Sequence, residues 1–390
     1  MLSRDFPRPV RRQSSMRYDW SFVKKISLNL GRDSYQVLIS QGILRDAGRL
    51  IRKECGDDVS LCVVVTTARV RRLWGAKLTA SLKKAKLAHA VLAIPDGERF
   101  KNLKTIESLL RSMVASGADR KSIVVAFGGG VVGDVAAFAA SIYMRGIPCI
   151  QVPTTLLAQV DASIGGKTGV NLVEGKNLVG SFQQPRSVLI DPAVLSTLPS
   201  REYSSGFFEV IKCGMIADAR LLKSIEQGSQ RFEERDPKFL TSAIQAAVKV
   251  KADIVSKDER ESGPRRVLNF GHTIGHALEA VGKYKRLLHG EAVAWGMIAA
   301  LHIGVNVGVT PESVASRLTE LVLRYGPLPR LSFSIPAVMT LIQSDKKTLH
   351  GVPRFVLIKE VGHTVISDSV SKRAIHQALS GILKLDAAIR

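Results

Sequence analysis

Residues 122–144 read SIVVAFGGGVVGDVAAFAASIYM, and the fold is decided here. The opening run, Ser122–Phe127, is apolar at every position but its first, which predicts a strand buried on both faces. Glycines 128, 129, 130 and 133 predict a tight turn, and the small apolar residues after Asp134 predict a buried helix. The stretch is long enough to span a membrane, yet four glycines and the Asp134 carboxylate make a poor lipid-facing helix. Gly128-x-Gly130-x-x-Gly133, set between strand and helix, matches the dinucleotide-binding fingerprint. Glycines there let backbone N–H groups approach a pyrophosphate, whose charge the helix N-terminus favours. The acidic residue that the fingerprint expects about 20 positions on is missing, because Cys149-Ile-Gln-Val-Pro153 stands there. A tight turn without a ligand therefore stays open on this motif alone.

Outward from this stretch, strand and helix signals alternate. Residues 24–40 switch between apolar and polar around Gly31-Arg32-Asp33 and predict a hairpin. Leu61–Thr66, Ala90–Ile94, Cys149–Val152 and Val188–Ile190 predict short strands, with Val70–Lys84 and Leu103–Ser116 as helices among them. The alternation indicates an α/β domain built on a parallel sheet. After Pro199 the pattern changes. Glu202–Cys213, Ala219–Gln227, Pro237–Ser256, His272–Val281, Gly290–Asn306 and Pro311–Leu323 all read as helices, and strand signals stay rare until Arg354–Ile358. The expected organisation is a flexible basic tail at 1–20, an α/β domain at 21–199 and a mostly helical domain at 200–390. A cleft between the two domains is the natural place for a site.

The 390 residues are 45% hydrophobic and 23% charged, a globular balance that excludes a mostly disordered chain. Lys+Arg 56 against Asp+Glu 34 leaves a formal charge of +22. A nucleic-acid binder would concentrate such charge with aromatics. Here the charge is spread out and aromatics are 6%, so a generally basic surface is the simpler reading, with steering of anionic ligands second. Four scattered cysteines without a Cys-x-x-Cys exclude a disulfide scaffold and a zinc ribbon, and they fit a reducing cytoplasm. The first 20 residues hold five arginines and no apolar run, so no secretory signal is expected in them. They read as the tail, or as an overlong start with Met16 as the true one.

Two further constellations carry chemistry. PTTLLAQVDASIGGKTGVN at 153–171, followed by Gly175-Lys-Asn177, presents Lys167, Lys176 and Asn177 near glycines and suits a phosphate or a polyol. It is not a Walker loop, since position 161 is Asp, and solvated loop lysines are the plainer alternative. The other is Glu209-Val-Ile-Lys212 with Asn269-Phe-Gly-His272-Thr-Ile-Gly-His276 and His289-Gly-Glu291. His272 and His276 share a helix face at i, i+4, and both read at first as ligands beside His289 and a carboxylate. Such a donor set suits Zn²⁺ with a position left open for substrate. Core or capping histidines are the alternative. His89, His302, His350, His363 and His376 have no such company. Lys251, Arg265, Arg266 and the Lys346-Lys347 pair are singly more often surface charges, and Lys251 and Arg265, on either side of the charged run 257–261, could form solvated ion pairs with it. Together, beside these groups, the cations suggest a substrate with two anionic ends.

Taken in order, GGGVVGD, YMRG, VPTTLLAQVDASIGGKTGVN, GKNLVGSFQQP, EVIK, LNFGHTIGHALE, LLHGEAVAWGM and SDKK closely resemble the 3-dehydroquinate synthase family of the sugar-phosphate cyclases. The similarity runs from about residue 25 to about residue 385. The resemblance implies a Rossmann-like first domain, a helical second domain, bound NAD⁺ and one divalent metal, Zn²⁺ or Co²⁺. It implies conversion of 3-deoxy-D-arabino-heptulosonate 7-phosphate to 3-dehydroquinate and phosphate, the second step of the shikimate pathway, with NAD⁺ regenerated in each turnover.

By motif, the resemblance assigns Glu209, His272 and His289 to the metal and turns His276 toward substrate. It assigns Glu98, Lys101, Gly129, Gly130, Asp134, Thr154, Thr155, Asp161, Lys167, Lys176, Thr197 and Glu202 to NAD⁺. Substrate contacts would be Asp161, Lys167, Asn177, Lys212, Lys251, Arg265, Asn269, His276 and Lys346-Lys347. Arg145 would reach a neighbouring subunit's phosphate pocket, which implies a homodimer. His276 and Lys212 are candidates to relay protons. The strand end Val65–Arg69 departs from the family, with Thr67 in place of an Asp or Asn near the adenosine ribose; Phe207-Phe208 is a packing change. Sister cyclases, making an amino-dehydroquinate or 2-deoxy-scyllo-inosose, are the nearest alternatives, and a metal-dependent polyol dehydrogenase comes next.

Overall fold

The computed structural model describes residues 23–284, 286–344 and 353–390. The expected tail at 1–20 and the Lys346-Lys347 pair lie outside the described residues. In chain order the strands are β1 (Lys24–Leu28), β2 (Tyr35–Ile39), β3 (Cys62–Thr67), β4 (His89–Ile94), β5 (Ile123–Gly128), β6 (Cys149–Pro153), β7 (Lys167–Leu172), β8 (Gly175–Phe182), β9 (Ser187–Ile190), β10 (Phe355–Glu360) and β11 (His363–Ser367). β5 is buried at every position, as its uniformly apolar sequence requires, and lies inside a seven-stranded sheet ordered β1-β2-β9-β6-β5-β3-β4. Neighbours pair parallel except β1 with β2, the hairpin expected at 24–40.

Side chains alternate across this sheet. Val63, Val65, Val124 and Ala126 meet helices Leu103–Ala115 and Gly130–Ile142. Val64, Ile123, Val125 and Phe127 face the other way, into a core continuous with that of the helical half. The chain runs from β3 outward to β4, then returns to β5 on the other side of β3 and proceeds through β6 toward β9. The reversal falls between β3 and β5, and α/β sheets bind ligands at the carboxyl ends of strands at such a point. The glycine turn stands there. A Cβ at Gly128 would lie 2.5 Å from the Val132 side chain, so only glycine lets the helix begin directly at the strand end.

From Ser200 onward the chain is mostly helical. Ser200–Ala217, Ala219–Glu226, Pro237–Lys257, His272–Val281, His289–Asn306 and Glu312–Arg324 match the expected helices to within a few residues. Asp218 and Asp236 cap two of them, the latter with Pro237 in the first turn. His289–Asn306 is buried nearly all round, which its Ala, Gly and aliphatic sequence allows, and it forms the centre of this half.

The structure adds elements that the sequence reading did not single out. β7 and β8 form an antiparallel hairpin where loop lysines were expected, so Lys167, Lys176 and Asn177 sit on strands. Glycines and polar residues masked its alternation, although Val170 is fully buried under helix Gly130–Ile142. Helices Ile335–Ser344 and Lys372–Ala388 and strand β11, paired with β10, are likewise additions. No helix among the described residues is long and apolar enough to cross a membrane.

The helices that carry His272 and His289 touch backbone to backbone at Gly296. A Cβ there would stand 1.9 Å from the Gly271 carbonyl oxygen. Gly296→Ala should force the two helices apart and cost roughly 1–3 kcal/mol through overpacking. Thermal unfolding by circular dichroism should show a lowered midpoint with helix content retained; a midpoint equal to the parent's would mean that the contact relaxes freely.

Candidate active site

A pocket of about 1350 Å³ opens at the carboxyl ends of the sheet strands and is walled by both halves of the chain. At its floor, helix Ser200–Ala217 presents Glu209 and Lys212, each 1% exposed. The Lys212 ammonium donates to Glu209 Oε2. Among the described residues Glu209 Oε1 has no hydrogen-bond partner, although it is buried. It faces His272 Nε2 at 3.7 Å and His289 Nε2 at 3.8 Å. Both rings have their Nδ1 engaged, His272 with the Phe270 carbonyl at 3.1 Å and His289 with Glu279 Oε2 at 3.2 Å.

Two donors of one tetrahedral zinc site lie about 3.4 Å apart, given bonds of about 2.1 Å. The spacing seen is slightly wider than this, and the orphaned carboxylate oxygen supplies the negative charge such an ion needs. Glu209, His272 and His289 therefore fit a divalent metal. The His276 ring centre lies 5.2 Å from that of His272 and 5.9 Å from that of His289, and its ligating atoms group with Glu279 and His289. The i, i+4 pair is thus divided between two possible ligating groups that share His289.

Lysine–carboxylate contacts surround the centre. Asp161 sits on a π-helical turn, Ala158–Ala162, a geometry frequent at functional sites. Its carboxylate takes Lys251 Nζ at 2.5 Å, and the same ammonium reaches its carbonyl at 2.6 Å. Burial works against the Asp161 charge, but Lys251 and then Lys212 hold its carboxyl below the usual range. The Lys101 ammonium contacts Asp134 and lies 2.5 Å from Asn177 Oδ1. Glu98 accepts from Asn171 Nδ2 at 2.8 Å, which ties the 98–101 turn to β7. Lys176 meets Glu279 at 2.8 Å. Arg265 is 3% exposed and donates to the Gly165 carbonyl at 3.2 Å. Asp258 arranges the loop before it, accepting from the backbone N–H of Ser262, Gly263 and Arg265.

Nearly all of the expected site residues line this one pocket, with Glu209 beneath it. Gly129, Gly130 and Asp134 come from the glycine turn and its helix, Thr154 and Thr155 from the end of β6, and Thr197 and Glu202 from the junction of the halves. Thr197 accepts from Trp74 Nε1 at 2.9 Å. Arg145 is exposed and lies away from the pocket, on a turn where Met144 and Arg145 have φ of 49° and 71°. Lys347 falls outside the described residues.

Two carboxylates were missed. Glu261 contacts the Lys167 ammonium and accepts from Asn269 Nδ2 at 2.5 Å. In sequence it lay in a charged run, 257–261, that read as solvated ion pairs. Glu279 sits at i+7 from His272 and i+3 from His276, a same-face spacing that would have revealed it.

A parallel sheet with a glycine-turn nucleotide crevice, joined to a helical half that holds a Glu-His-His centre, defines an NAD- and metal-type α/β enzyme. Family models described as 3-dehydroquinate synthase N-terminal and C-terminal match residues 91–205 and 206–348. A 3-dehydroquinate synthase of Koribacter versatilis is 50% identical over 357 residues, covering 92% of this chain and 97% of that protein. The chain belongs to the 3-dehydroquinate synthase family. Among solved structures, a 2-epi-5-epi-valiolone synthase from Streptomyces hygroscopicus with NAD⁺ and Zn²⁺ bound superimposes with a TM-score of 0.82. It is 29% identical, over 90% of this chain and 97% of that one. A 2-deoxy-scyllo-inosose synthase complexed with carbaglucose-6-phosphate, NAD⁺ and Co²⁺ gives 0.81 at 28% identity, over 92% and 99%.

Burial pushes the Asp134 carboxyl above its ordinary range, and Lys101 opposes that rise. In Lys101→Met the carboxyl should rise further. A folded-state value above the unfolded one means that folding takes up a proton, so stability falls as pH rises through the raised value. The loss of thermal midpoint against the parent should be larger at about pH 8 than at about pH 5. Equal losses at both would show that the pair has no electrostatic role.

Proposed function

We propose that the cleft converts 3-deoxy-D-arabino-heptulosonate 7-phosphate to 3-dehydroquinate and phosphate, acting as a phosphate-eliminating lyase. The observation that carries this reading is the partnerless Glu209 oxygen facing two imidazole nitrogens, in a cleft whose wall is set with lysines. Bound NAD⁺ supplies a reversible hydride acceptor, and a bound Zn²⁺ or Co²⁺ supplies Lewis acidity toward substrate hydroxyls.

The chain's own residues bind, orient and move protons. Glu209, His272 and His289 Nε2 would hold the metal. Gly129 and Gly130 offer backbone N–H groups to the pyrophosphate, with Thr154, Thr155, Asp134, Lys101 and Lys176 along the nucleotide and Glu98, Thr197 and Glu202 toward its ends. Arg265 and Lys251 clamp the substrate carboxylate, Arg265 through its planar fork. Lys167, Asn177, Asn269 and Lys347 hold the phosphate end. Asp161 orients Lys251 and meets both ligands. His276 and the Lys212 ammonium are the groups placed to relay protons at the reacting carbons and oxygens. Residues 21–199 serve as the nucleotide domain and 200–390 as the metal and substrate domain, in a cytoplasmic homodimer. Within the superfamily, the Lys251–Arg265 pair favours a carboxylate-bearing substrate over the inosose-type one, since a buried guanidinium wants an anionic partner.

The test supplies the heptulosonate phosphate with catalytic NAD⁺ and Zn²⁺. Phosphate and dehydroquinate should form in equal amounts without NADH absorbance building up. NADH accumulation without phosphate would instead mark a polyol dehydrogenase. Turnover only of a sugar phosphate lacking the carboxylate would mark a sister cyclase. Arg145→Ala should leave a dimer in sedimentation and raise KM about tenfold to a hundredfold, the worth of a charge-assisted bond of about 1.5–3 kcal/mol. An unchanged KM would remove Arg145 from the phosphate pocket.

A further inference from the structure

Glu279 is 3% exposed and takes no part in the roles assigned above. Its carboxylate is held from two sides. Oε2 faces His289 Nδ1 at 3.2 Å, and Oε1 takes Lys176 Nζ at 2.8 Å. Lys176 comes from β8, in the nucleotide half, and its ammonium also lies 4.4 Å from the centre of the Tyr284 ring. A neutral imidazole that donates through Nδ1–H carries its lone pair on Nε2. His289 Nε2 is the atom that faces Glu209 Oε1 at 3.8 Å. The carboxylate therefore sets both the tautomer and the ring orientation that the Glu209 centre requires. His272 receives the same service from a backbone carbonyl, that of Phe270. The two histidines of the centre thus differ. One is oriented by the main chain, the other by a charged side chain that is itself oriented from the opposite half of the protein.

We propose that Glu279 is a positioning residue for the metal centre. It locks His289 into the form that presents Nε2, as the middle member of a Lys176–Glu279–His289 chain running from the nucleotide half to the metal half. The proposal rests on the metal reading given above. Carboxylates in this position raise the basicity of the ligating imidazole, and their loss weakens metal binding by about 10–100-fold. Glu279 also lies within ligating reach of His276 and His289, so a direct role as a ligand is the competing possibility that the experiment has to separate.

The experiment measures Zn²⁺ affinity by competition with a chromophoric chelator, on protein whose near-ultraviolet circular dichroism matches the parent. Parent, Glu209→Gln and Glu279→Gln are compared, with the visible spectrum of each Co²⁺-loaded form. Glu279→Gln should bind Zn²⁺ about 10–100-fold more weakly at unchanged stoichiometry, with an altered Co²⁺ spectrum. Glu279→Asp, which keeps the charge on a shorter arm, should recover part of the loss. A merely structural carboxylate would lower the thermal midpoint and leave the affinity of the folded protein alone. Weak binding in Glu209→Gln together with parental affinity in Glu279→Gln overturns this proposal and leaves the metal reading standing. Parental affinity in Glu209→Gln overturns both. A second bound equivalent of Zn²⁺ in the parent that Glu279→Gln removes overturns the positioning role, because Glu279 is then a ligand. Should Glu279→Gln fail to fold, Lys176→Met decides: weaker Zn²⁺ retention supports the chain, and retention equal to the parent's overturns it.

Discussion

A carboxylate oxygen that is buried and unpartnered is costly, because burial removes the water that would otherwise solvate it. Glu209 carries one such oxygen, with the other held by Lys212. Much of the helical half can be understood from this atom. Helix Ser200–Ala217 is buried along most of its length, so Glu209 and Lys212 are almost wholly shielded and meet solvent only by way of the pocket that Lys212 lines. Helices His272–Val281 and His289–Asn306 approach closely enough for His272 and His289 to turn the same kind of nitrogen toward it. Sequence supplies the means: glycine where the two helices touch, and small residues along the central one. An apolar substitution for Glu209 would remove the orphaned oxygen but leave the buried Lys212 ammonium without its partner. Its free oxygen, with two imidazole nitrogens aimed at it, fits the ligating role proposed above.

The sheet meets this centre through its topology. A parallel sheet that reverses between β3 and β5 leaves a crevice at its carboxyl edge, and the glycine turn after β5 opens into it. The β7–β8 hairpin then extends from the end of the Asp161 segment and carries Lys167, Lys176 and Asn177 over the same space. The glycine turn and the two histidines that face Glu209 thus share one cavity although they arise from halves of different architecture.

The sequence made some of this legible and hid the rest for physical reasons. Uniform burial of β5, the hairpin at 24–40 and the switch to helices after Pro199 all leave strong periodic or compositional marks. The β7–β8 hairpin leaves a weak one, since glycines and polar residues replace the β-branched alternation and only Gly169 and Val170 are buried. Glu261 was hidden because a charged run normally faces solvent. Its backbone takes a φ of 60°, and that conformation helps turn the loop inward, which no spacing rule foretells. The assignment of Glu209, His272 and His289 to a metal came only with the resemblance. Histidine spacing alone paired His272 with His276, whereas His289 arrives from the start of a different helix, and helical periodicity says nothing about such a partner.

The pairs Lys167–Glu261, Lys176–Glu279 and Lys251–Asp161 each join the sheet half to the helical half. Apolar packing already binds the two through a shared core, so these contacts are not needed to hold them together. Partly buried ion pairs are poor contributors to stability, because desolvation cancels much of their attraction. They are strongly directional, however, and they place each ammonium at a fixed point on the cavity wall. The proposed substrate, with two anionic ends, would have to be held at both ends, and an error of about 1 Å in placing its reacting atoms costs about a hundredfold in rate. Cross-half pairs fix that geometry where a flat apolar contact would allow sliding. The basic wall is therefore better understood as a positioning frame than as a sink for negative charge.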